Sequence, residues 1–247
     1  MGKGKGAFQK GERKLMTNVI TEALKDLPRS LRQKRYYERL IISKYKINGI
    51  KTSALKKCAE ELARKVKLQD LYEIVPQNYE ELTLLGLIIA YHDSCIEEKC
   101  KALDYYLSFN DNWSSCDTVM FVIKDTGDTY FNYLLNLVGR NDWSVRFGMT
   151  GLMTNFMDKE HLGAIYERLH HINYGDYQID MAVSWFLGIA LIDFPTETIE
   201  FFESAPLSLF LLRLTVRKAK DSKNIREDVK ITIEEALKDI LCKRAMC

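Results

Sequence analysis

The sequence predicts an all-α protein, a curved α-solenoid built from antiparallel helix pairs. Three observations lead there. Apolar residues recur at helical spacing along nearly the whole chain, and no run alternates as a half-buried strand would. Asn, Asp, Ser, Gly or Pro separates most of these runs, as caps and breakers do. The runs are short, their connections are short, and no long central helix stands out. That pattern suits neighbouring helices packed as antiparallel pairs in a stacked array better than a four-helix bundle.

Taken in order, the first three helices are predicted at 10–26, 29–45 and 51–68, divided at Pro28 and at Asn48-Gly49. Helices at 78–92 and 96–109 follow, opened by Asn78 and parted by Asp93-Ser94. The next two, at 114–125 and 127–138, lie between Asn110-Asp111-Asn112 and Gly139, with Gly127 dividing them. Helices at 144–156 and 159–171 flank Asp158, and one at 176–192 follows Gly175. The last three are predicted at 196–203, 206–222 and 225–243, after Pro195, Pro206 and Ser222. Paired units near 78–109, 114–138 and 144–171 recur at roughly the 40-residue scale of HEAT-like repeats. The expectation is one HEAT-like α-solenoid domain over 1–247, with the Gly/Lys-rich residues 1–11 as a flexible or ligand-touching tail.

The chain has 247 residues, 47% of them hydrophobic, which is enough to bury a substantial core. The longest apolar run, Leu82 to Tyr91, is too short to cross a bilayer. The first residues carry no apolar stretch of a secretory signal, and the Met-Gly start lacks the Ser or Thr of a myristoylation site. The six cysteines (58, 95, 100, 116, 242 and 247) form no CxxC pair, so reduced thiols and a cytoplasmic location are expected. Net charge is only +2, but its distribution is lopsided. Residues 1–70 hold 19 Lys/Arg against 7 Asp/Glu, residues 71–212 hold 7 against 21, and residues 213–247 hold 10 against 6. Basic ends around an acidic middle point to a polyanion clamped from both ends.

The tryptophans mark the candidate site. Trp113 stands four residues before Asp117, and Trp143 three before Arg146. Both spacings place side chains on one helix face. Aromatic rings, a carboxylate and a guanidinium from successive helices suit a cationic sugar and a phosphate better than a metal or nucleotide cofactor. Each residue also has a plainer explanation. Ser114 and Asp117 have the spacing of a capping box. Arg146 can be a surface residue, although a cation in a helix's first turn opposes the macrodipole. Trp143 reads as packing, and Trp185, in DMAVSWFLG, lies where core burial is the default.

Two one-sided basic rows complete the set: Arg29, Arg32, Arg35 and Arg39, and Arg213, Arg217, Lys220 and Lys223. A solvated face explains such rows; duplex DNA, through counterion release at each neutralised phosphate, explains them as well. The four histidines have neither ligand partners nor zinc spacing, and no P-loop, GxGxxG or GxSxG occurs. No metal and no cofactor are expected.

NDNWSSCDT (110–118), NDWSVRFGMTGLM (141–153) and YQIDMAVSWFLGIALIDFP (177–195) occur in that order. KINGIKTSALKKCAEELARK (46–65) and EELTLLGLIIAY (80–91) precede them, and KAKDSKNI (218–225) follows. In this order the segments resemble the HEAT-like DNA alkylation repair proteins, the AlkC/AlkD group of bacterial DNA glycosylases, across about three quarters of the chain. The resemblance implies a curved solenoid with double-stranded DNA on its concave face. It also implies excision of N3- and N7-alkylated purines without the damaged base entering a pocket. By motif, Asp117 would stabilise the oxocarbenium-like sugar and orient water. Trp113 and Trp185 would flank that sugar, and Arg146 would hold a phosphate. Gly188 stands where the family's glycosylases often carry a basic residue. The NWxxCD variant also resembles a branch that binds DNA, including branched forms, without clear excision.

Three functions are therefore expected to compete: an alkylpurine-DNA glycosylase, a non-catalytic binder of branched or damaged DNA, and a solenoid scaffold for proteins with its indoles in the core. No membrane and no obligate protein partner are inferred.

Overall fold

A helix that is apolar on every side needs neighbours on every side, and two stretches of this chain meet that description. In the computed structural model they become α4 (Tyr79–Tyr91) and α10 (Tyr177–Asp193). Residues 79–90 of α4 are all buried, and α10 exposes only its ends and scattered side positions. The structure describes residues 19–140, 143–222 and 227–245. The predicted tail at 1–11, the first part of the helix predicted at 10–26, and Lys223 lie outside those residues.

The chain is all-α. Among the described residues there is no strand, only isolated bridges between Arg29 and Ile50 and between Lys46 and Asn78. No described helix is long and apolar enough to cross a membrane. Packing divides the chain into two compact units, Met1–Tyr130 and Phe131–Cys247.

The first unit runs through a helical segment at 19–25 (α1), α2 (Leu31–Leu40), α3 (Thr52–Ala63), a 3₁₀ turn at Leu68–Glu73, α4, α5 (Ile96–Leu107) and α6 (Trp113–Met120). Here α4 packs against α3, α5 and α6, and α2 reaches it through Tyr37, whose ring lies 5.8 Å from that of Tyr79. The second unit takes most of α7 (Asp128–Val138), then α8 (Trp143–Asn155), α9 (Lys159–His170), α10, α11 (Pro195–Ser204), α12 (Leu209–Lys220) and α13 (Glu227–Ala245). Its α10 packs against α8, α11 and α12, while α13 covers α11 and α12. Among the even-numbered helices, α6 packs on α4 and α2 joins α4 through Tyr37, while α8 and α12 pack on α10. Every candidate residue named above that is described lies on one of them, except Arg29.

Several helices end earlier than predicted, for local reasons. The helix expected at 29–45 is capped by Ser30 and stops at Leu40, where Ile41 turns extended and buries its side chain with Tyr37, Ile47 and Tyr79. Arg29 consequently sits ahead of the helix and bridges to Ile50, off the helical row it was expected to join. The helix expected at 51–68 closes at Ala63. The turn at 46–50 is organised from α4. Buried Glu80 accepts the backbone N–H groups of Asn48 (2.9 Å), Gly49 (2.7 Å) and Ile50 (3.3 Å). Gly49 has φ +87°, and a Cβ there would stand 2.5 Å from the Ser30 carbonyl oxygen. Only glycine fits that turn. Gly49 in turn accepts the Ser30 N–H at 3.0 Å, tying the start of α2 to α4.

Candidate functional site

The short helix α6 begins where Asn112 accepts the Ser115 N–H at 2.9 Å. Asn112 is thus the cap, and Ser114 lies inside the helix. The capping-box explanation of Asp117 required Ser114 as cap and Asp117 three positions later; the observed start removes it. Asp117 lies deeper in α6, only 8% exposed. One turn earlier Trp113 is 38% exposed, and its indole N–H donates to the Leu40 carbonyl at 3.2 Å. That bond fixes the ring against the end of α2 and leaves part of its π surface open. On the inner side, Ser114 shares a 2.9 Å hydrogen bond with Tyr79, whose hydroxyl is pushed up to about 12 by burial. Asn110 accepts from both Tyr106 and Ser115. The helix bearing Trp113 and Asp117 is therefore held from several sides.

Arg32, Arg35 and Arg39 lie exposed along α2, and Arg29 is exposed ahead of it. The acid on that helix, Glu38, is paired with Lys34 at 3.6 Å. The Trp113–Leu40 bond places the indole at the end of this basic helix, directly after Arg39.

In the second unit, Arg146 from α8 and Trp185 from α10 meet. The guanidinium carbon lies 5.9 Å from the ring centroid, within cation–π range. Arg146 is buried, so the surface-arginine explanation fails. Trp185 is half-buried and lines an open pocket with Gly188, Ile189, Lys218 and Asp221, so full core burial fails as well. Trp143 is half-buried at the start of α8. Arg213, Arg217 and Lys220 lie exposed on α12, Arg217 facing Asp221 at 3.9 Å.

Spacing alone does not single out Lys218, because it stands off the exposed row of α12. Its ammonium is held below the ordinary lysine range by burial and by the charge of Arg146, against a smaller opposite effect of Asp221. Gly188 makes this neighbourhood possible: a Cβ there would stand 3.2 Å from the Lys218 Cβ and 3.4 Å from the backbone of α12. The small residue lets α12 approach α10 closely, and α12 delivers a cation beside Trp185. A helical glycine opposite a basic segment was the available clue. A guanidinium and an ammonium near one indole are side chains of the kind that can hold an anion. Among the described residues there is no group of three or more His, Cys, Asp or Glu placed to hold a metal ion.

Trp113 and Asp117 thus belong to the first unit, and Arg146 and Trp185 to the second. Residues 20–238 match the family model described as DNA alkylation repair enzyme. No curated protein and no solved structure matches the chain significantly.

Proposed function

The chain belongs to the DNA alkylation repair enzyme family, and on that premise we propose that it is a DNA glycosylase releasing cationic N3- or N7-alkylated purines from double-stranded DNA in the cytoplasm. Alkylation makes the purine a cation and so a good leaving group. As the C1′–N bond breaks, its electron pair passes to the base, which leaves neutral, and positive charge develops on the deoxyribose. Asp117 supplies the opposing charge from a nearly buried position, where a fixed carboxylate acts more strongly than in water. Water adds at C1′ and gives up its proton through the same carboxylate, leaving an abasic site. Trp113 offers a π face to the sugar cation, and the family resemblance assigns Trp185 the same part. Arg146 and Lys218 hold a backbone phosphate, and Arg29, Arg32, Arg35, Arg39, Arg213, Arg217, Lys220 and Lys223 add further phosphate contacts.

The single observation carrying this reading is the placement of Asp117: a carboxylate 8% exposed, off the capping-box position and one turn from an accessible indole. Exposed Trp113 also speaks against a scaffold with all its indoles in the core. Gly188 favours a second reading, a non-excising binder of branched DNA, because the resemblance associates a basic residue there with excision. The test is incubation of the protein with duplex DNA carrying N7-methylguanine, followed by chromatography of freed base. The glycosylase reading expects free N7-methylguanine and an abasic strand. Salt-sensitive junction binding with no freed base would establish the second reading instead.

A further inference from the structure

Ile42 is 91% exposed, the most exposed large hydrophobic residue described. A lone apolar side chain on the surface needs no explanation, but this one is neither alone nor loose. Leu40, two residues before it, and Trp113, whose indole N–H bonds the Leu40 carbonyl, are also exposed, so exposed apolar side chains gather around the end of α2.

The backbone on both sides of Ile42 is fastened. Leu40 accepts the Trp113 indole N–H, and the Ile41 N–H donates to Tyr37 at 2.8 Å. The Ile41 side chain is buried in the Tyr37–Ile47–Tyr79 cluster. Asp111 accepts from the Ser43 hydroxyl at 2.8 Å and from the Lys44 N–H at 2.7 Å. An ordered loop with every neighbour tied down, yet with a β-branched side chain aimed at solvent, holds that side chain in a fixed position.

The charge around this end of α2 selects its partner. Arg32, Arg35, Arg39 and Lys44 are exposed on either side. The nearby acids are engaged, Glu38 with Lys34 and Asp111 with the loop it anchors. A second copy of such a surface would be repelled, whereas a phosphate backbone would be attracted. Branched apolar side chains are what DNA-bending proteins press between base pairs, opening a step while cations hold the phosphates beside it.

We propose that Ile42 is an apolar wedge that unstacks a base step of bound duplex DNA, with Arg39 and Lys44 on the flanking phosphates. The proposal rests on the reading that duplex DNA is the partner, but it requires no excision. Its test uses the full chain and short undamaged duplexes carrying 2-aminopurine at a central step, whose fluorescence rises on unstacking. The wild-type protein and Ile42→Leu should raise the signal. Ile42→Ser should abolish the rise and weaken binding about tenfold, the scale of one buried aliphatic side chain, with salt dependence and melting temperature unchanged. Arg39→Gln with Lys44→Gln should reduce the log–log salt slope by about two. An Ile42→Ser variant that binds and unstacks like wild type overturns the wedge while leaving the glycosylase reading intact. Failure of the wild type to bind any duplex overturns both. Tighter Ile42-dependent binding to phosphatidylserine vesicles than to DNA would reassign this end of α2 to a membrane surface and overturn the wedge.

Discussion

Replacing Glu80 should unfasten the first unit from beneath its basic helix. The carboxylate is fully buried and accepts three consecutive backbone N–H groups, at 2.9, 2.7 and 3.3 Å. Glu80→Ala leaves all three without their acceptor. A buried donor without a partner costs about 1–3 kcal/mol, and water can recover part of this at half-buried Asn48. The expected loss is therefore about 3–5 kcal/mol. Glu80→Gln keeps one carbonyl oxygen in place and loses only the charge assistance and one acceptor, for an expected loss of about 1–2 kcal/mol. Urea denaturation followed by far-UV circular dichroism reads both values. The order wild type, Gln, Ala is the prediction. An alanine variant within 0.5 kcal/mol of wild type, roughly the scale of an ordinary surface change, would refute the claim that this carboxylate organises the 46–50 turn.

Three further outcomes follow from the geometry. Asn112→Ala removes the cap of α6 and should cost about 1 kcal/mol in the same denaturation experiment, whereas Ser114→Ala should leave the helix start in place. Lys218→Gln should lower the log–log salt slope of DNA binding by about 0.9, one phosphate contact, with Lys218→Arg restoring it. The pH dependence of binding should carry the mark of the same lysine. Its pKa is lowered by burial and by Arg146, so below that value the ammonium is present and contributes. As the pH rises through it, the contribution disappears before other lysines titrate. The affinity advantage of wild type over Lys218→Gln, measured by fluorescence anisotropy, should shrink on the alkaline side while that of Lys218→Arg persists.

The all-α architecture was legible because helical periodicity and junction residues agreed along the chain. Apolar runs at 82–91 and 181–191 became the buried α4 and the largely buried α10 for the reason their composition suggests. What spacing could not supply was tertiary contact. The extended course that follows Leu40 is held by Asp111, which grips the Lys44 backbone from 67 residues further along. No local pattern near residue 40 records that. The cap of α6 was misplaced by two residues because Asn112 and Ser114 are both good caps, and only packing chose between them. Arg146 and Trp185 each stand out in the sequence, but their meeting depends on how α8 packs on α10. Lys218 was hidden because it faces inward, off the exposed row. Ile42 is hidden because it falls inside the helix predicted at 29–45, which the structure ends at Leu40, two residues before it.

In the proposed reaction one acid, Asp117, answers the positive charge left on the sugar. The most direct measurement of this role is single-turnover release of N7-methylguanine by wild type and by Asp117→Asn, with duplex affinity recorded in parallel. At about 4 Å and an effective dielectric near 20, a lost unit charge is worth up to about 4 kcal/mol. The excision rate should therefore fall by two to three orders of magnitude while affinity for undamaged duplex stays within about twofold. Equal release rates in the two proteins would contradict the role given to Asp117.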